Sequence, residues 1–130
     1  MIRGEIPKHA ISRTWEEGRY LDLWSFVHFT SGAIMALIIF LFGFSFWTSV
    51  SIATLLMIVW ELFERAIGWY EVWENQVMDV IVGVAGFVPM YFLIPSDKTV
   101  MFIILIILLV IVATLDYLGW QAYEHRKAFK

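Results

Sequence analysis

Four apolar runs, each about 20 residues long, are separated by short polar breaks, and little else in the chain is compatible with water. They cover roughly residues 21–42, 47–68, 75–94 and 99–120. A helix of about 20 residues spans a hydrocarbon core of about 30 Å. An isolated strand in lipid would leave its backbone groups unpaired, so each run is expected to be helical. The expected fold is therefore all-α: an integral membrane bundle of four transmembrane helices, forming a single domain over residues 1–130. Composition agrees, because 61% of the residues are hydrophobic and only 16% charged, more apolar surface than a small soluble core could hide. Gly43-Phe44-Ser45 and the Pro95-Ser96-Asp97 turn break the pattern on one side, and the segment from Trp69 to Glu74 breaks it on the other. Ahead of the first run, Thr14 and Glu17 have capping-box spacing, which predicts a short interfacial helix from Thr14 to about Tyr20.

An even number of spans places both termini and the second connection on one side. That side carries Arg3, Lys8, Arg13, Arg19, Arg65, Arg126, Lys127 and Lys130, against Lys98 alone on the other. The positive-inside bias makes the side with the termini cytoplasmic. The net charge of -3 and the lack of a basic patch exclude nucleic acid as a partner, and the absence of cysteine excludes thiolate metal sites.

Against this apolar background, His28, Glu61, Glu64 and Asp79 stand out, since ionisable groups inside spans are expensive and mark function by default. His28 lies seven positions into the first run, Glu61 seven positions from the end of the second and Asp79 four positions into the third. All three then fall in one shallow layer on the cytoplasmic side. Helical steps of three and four align Trp24, His28, Ser31, Gly32 and Met35 on the first helix. The same steps align Glu61 with Arg65 on the second helix, and Asn75, Asp79, Gly83 and Gly86 on the third. The small residues permit close helix approach. The expected site is a polar pocket formed by His28, Ser31, Glu61, Glu64, Arg65, Asn75 and Asp79.

Charge within that pocket needs balancing. Glu61 and Arg65 stand in the favourable (i, i+4) order for a pair. The remaining carboxylates either share a proton or are neutralised by a cation. Three carboxylates with His28 suit Zn, Mn or Fe(II), with Mg an option where His28 is not a ligand. For single residues the plainer readings are an interfacial ion pair at Arg65, a satisfied polar contact at His28 and a helix cap at Asn75. Asp116 reads as interfacial and solvated, and the aliphatic fourth run as a lipid-facing helix.

The run from His28 to Gly32, Trp60-Glu61-Leu62-Phe63-Glu64, and Asn75 through Asp79 to Gly83 and Gly86 together resemble the VanZ-like and YjdF-like small membrane proteins. The resemblance covers about residues 24–94 and is nearer to the YjdF-like group, since Gly83 stands where the VanZ-like pattern usually has Asn. It implies a small polytopic membrane protein and carries His28, Glu61, Glu64 and Asp79 over as the matched positions.

Three functional classes follow. In the first, the pocket binds a divalent cation or a polar lipid head group, and catalysis on a lipid-linked substrate would use Glu61 or Asp79 as general base. The Glu-x-x-Asn-x-x-x-Glu pattern of membrane diacylglycerol kinases is missing, as is any phosphate-binding glycine loop. In the second, the chain is a non-catalytic subunit or assembly factor that packs against a membrane protein partner or a second copy. In the third, it is a cation or proton transporter, which requires polar steps at every depth.

Overall fold

The computed structural model describes residues 21–68 and 72–128, with side chains described as far as Glu124. The predicted interfacial helix at Thr14 to Tyr20 lies outside them. The described residues form four helices and no strand: α1 (Leu23–Phe40), α2 (Phe46–Ala66), α3 (Trp73–Leu93) and α4 (Lys98–Ala128). All four are long and apolar enough to cross a membrane. The helices begin and end within two residues of the apolar runs, except that α4 continues past Trp120 to Ala128.

Local chemistry sets the ends. Asp22 caps α1 through a capping box: its carboxylate accepts from Ser25 N at 3.1 Å, and Ser25 Oγ accepts from Asp22 N at 3.0 Å. Ser45 Oγ accepts from Thr48 N at α2, and Asp97 Oδ1 accepts from Thr99 N at 2.8 Å at α4. Gly43 and Gly68 take φ of 75° and 89° just past the ends of α1 and α2, a left-handed conformation that glycine adopts without a steric penalty.

α1 is the hub and touches all three other helices, most extensively α3. Glycine explains that contact. A Cβ on Gly32 would collide with the Gly83 carbonyl, and one on Gly86 with the Phe29 carbonyl. The two backbones are therefore in direct contact, as small residues allow between membrane helices. Gly83 also receives Met57 of α2, whose Sδ lies 2.6 Å from where a Cβ would stand. Around this crossing Ala36, Ala53, Met57 and Phe87 form the buried core.

Beyond the core, Phe40, Phe46, Tyr91 and Phe92 pack edge-on or tilted at the end of the bundle away from the termini, with ring centroids 4.9 to 5.8 Å apart. α4 docks more lightly, through Ala122 against Val27 with Leu23, Trp24 and Leu115 around them. Its outer face, including Ile106 and Val110, is exposed.

Gly86→Ala is expected to destabilise the bundle by about 1–3 kcal/mol, because neither facing backbone can retreat freely. Val110→Ala, at a position 60% exposed, is expected to be nearly neutral. Reversible unfolding in detergent micelles measures both.

Candidate metal centre

Each of the three polar positions is set by a helix register that the glycine crossing fixes. His28 precedes Gly32 by four residues on α1, and Asp79 precedes Gly83 by four on α3. Each lies one turn from the point where the backbones touch. His28 Nε2 consequently stands 3.2 Å from Asp79 Oδ2. Glu61 reaches the same point from α2, with Oε1 3.9 Å from His28 Nε2. One donor atom from each of His28, Glu61 and Asp79 lies within 4.8 Å of the others. Glu61 is buried, Asp79 is 1% exposed, and the His28 side chain retains 18% exposure.

Asp79 defines what the cluster lacks. Neither of its carboxylate oxygens has an aligned hydrogen bond, although both are fully buried. The His28 contact to Oδ2 is close in distance without the geometry of a good hydrogen bond. A buried carboxylate is tolerated only when paired or when it coordinates a cation. For a ligand bond of about 2.1 Å, neighbouring donors stand roughly 3.0 Å apart in an octahedron and 3.4 Å in a tetrahedron. The observed 3.2 Å fits that range, and the 3.9 Å separation reaches it through a small rotation of Glu61. One imidazole and two carboxylates are a donor set for Zn, Mn or Fe(II).

The cluster lines a cavity of about 790 Å³. Ser31 and Glu64 also line this cavity, Glu64 half-buried and outside the three-donor group. Two expected members sit elsewhere. Arg65 is exposed, does not line the cavity, and among the described residues pairs with neither Glu61 nor Glu64. Its (i, i+4) spacing from Glu61 is correct, but Glu61 turns inward to His28 while Arg65 turns outward. Asn75 is buried and neither lines the cavity nor caps α3, whose N-cap is Val72. Asn75 Nδ2 instead donates to Asp22 Oδ2 at 3.2 Å, tying the start of α3 to the start of α1.

Sequence reasoning missed the role of Asp22 and the place of Asp116 in the cavity lining. Asp22 is the cap that receives Asn75, and its signal was the Asp-x-x-Ser spacing ahead of the first run. Asp116 is exposed, in keeping with its reading as a solvated group, and also lines the cavity from α4 together with Trp120. Its signal was the one acid in the run from Thr99 to Trp120. Comparison of the chain with family models, with curated proteins and with solved structures returns no match.

Asp22→Ala removes both the cap and the acceptor for Asn75, and is expected to destabilise the protein by about 1–2 kcal/mol. Asp22→Asn retains a capping oxygen and should recover most of that loss in the same unfolding assay.

Proposed function

We propose that this chain is an integral membrane protein that binds one divalent transition-metal ion through His28 Nε2, Glu61 Oε1 and Asp79 Oδ2. The remaining coordination positions would face the cavity, where a polar head group could reach the ion. The observation that carries this reading is the convergence of three donors within 4.8 Å around a fully buried carboxylate that faces His28 Nε2 at 3.2 Å without an aligned hydrogen bond. A purely structural network would aim hydrogen bonds at Asp79, as Asn75 Nδ2 does at Asp22 Oδ2.

Membrane residence is supported by four apolar helices and by large hydrophobic side chains exposed along them, a surface that would aggregate in water. The excess of Lys and Arg on the side of the termini supports a cytoplasmic placement for both ends. Kinship with the VanZ-like and YjdF-like proteins belongs to the same proposal and rests on His28, Glu61, Glu64 and Asp79. The aromatic cluster at the far end weighs against a continuous polar path through the bundle, and so against transport.

Elemental analysis of the purified protein is expected to find about one Zn, Mn or Fe per chain. Asp79→Asn should weaken its affinity at least about 10-fold, since loss of a ligand costs no less than loss of a supporting group. The ligands bind deprotonated, so acidification from pH 7 to about pH 5 should release the ion. Absence of metal from a folded wild-type protein, also after incubation with Zn(II) or Co(II), would refute the site.

Orientation is tested separately. The chain has no cysteine, so single replacements report cleanly. Lys98→Cys is expected to react with an impermeant maleimide on intact cells, and Lys127→Cys only after lysis. The reverse pattern overturns the topology.

A further inference from the structure

The metal cluster accounts for only part of the cavity lining. A volume of about 790 Å³ lies in the range that holds a whole small molecule, far more than an ion and two waters require. The rest of the cavity has its own chemistry. Trp24, Trp60 and Trp120 line it from three different helices, with Phe63 and Ile67 among the apolar walls. Asp116 faces the same space from α4. Among the described residues lining the cavity, none is Lys or Arg.

We propose that this cavity binds a hydrophobic organic cation, an ammonium or similar onium group carried on apolar substituents, with Asp116 as counter-charge and the indoles of Trp24, Trp60 and Trp120 as its aromatic walls. The occupant is chosen by charge complementarity. An anion would meet carboxylates from α2, α3 and α4 with no basic side chain in the described lining to receive it. A neutral apolar molecule would strip water from Asp116 and offer nothing in return, which is unfavourable for a carboxylate. A cation replaces that water with an ion pair and gains from the faces of tryptophan, the best cation–π partner among side chains. Metal ions alone do not use the indoles or the apolar volume.

The position of Asp116 follows from packing. Ala122 and Leu115 dock α4 on Val27 and Leu23 of α1, which turns the Asp116 face toward His28, close enough for the two side chains to interact electrostatically. Trp120 follows one turn later on the same face. The assignment stands on Asp116 and the indoles, and so goes beyond the metal reading without depending on it.

The test uses full-length protein in a non-ionic detergent, titrated calorimetrically with tetraphenylphosphonium and with tetraphenylborate, ions of nearly equal size and opposite charge. The cation is expected to bind at one equivalent, and the anion at least 10-fold more weakly. Asp116→Asn should weaken the cation at least 10-fold and leave bound metal unchanged, and Trp120→Ala should weaken it likewise. Displacement by dodecyltrimethylammonium but not by choline assigns a membrane-borne cation, and displacement by both assigns a water-soluble one. Equal binding of the two tetraphenyl ions to the wild type would overturn the proposal whatever the variants do. So would undiminished cation binding in Asp116→Asn. Cation binding without metal would remove the metal reading and leave this one standing, and metal without cation binding removes this one alone.

Discussion

The contact between the backbones of α1 and α3 at Gly32, Gly83 and Gly86 is the constraint from which the rest of the bundle is built. Its partners occur in parallel order along the two helices: Asp22 with Asn75, His28 with Asp79, Gly32 with Gly83, then Phe40 with Tyr91. Such an order pins register, because displacing either helix by one residue would swing every pair apart. Direct backbone contact also shortens the reach between side chains one turn away. An imidazole and an aspartate on helices separated by larger residues would not stand 3.2 Å apart.

Polar and apolar ends of the bundle divide the work. At the end away from the termini, Phe40, Phe46, Tyr91 and Phe92 interlock and supply dispersion and ring contacts without any charge. At the other end, four carboxylates and a histidine occupy a cavity whose walls are otherwise largely apolar. Burying Asp79 there opposes folding, and the aromatic and glycine contacts hold the helices together against it. Destabilised polar groups held by a rigid frame are typical of sites that act on something, since the same groups would be solvated if folding were all they served.

Legibility in the sequence followed the strength of the local pattern. The four helices announced themselves through run length, and the α1–α3 face through glycines at helical steps. Depth arithmetic brought His28, Glu61 and Asp79 into one layer, because depth depends only on rise per residue and on alternating span direction. Facing is harder. Glu61 and Arg65 share a helical stripe, yet one turns inward and the other out, because two residues one turn apart differ by a fraction of a turn that neighbouring helices resolve. Asn75 read as a cap because amides favour helix starts, and its partner proved to be the cap of a different helix.

Asp116 shows where such reading stops. α4 is apolar on nearly every face, so its sequence carries no amphipathic stripe to say which side meets α1. Only the docking of Ala122 on Val27 decides it, and that contact joins positions far apart in the chain. Once decided, it closes the cavity with a carboxylate and an indole one turn apart. The most aliphatic helix of the four thereby supplies the counter-charge on which the cavity's selectivity for a cation rests.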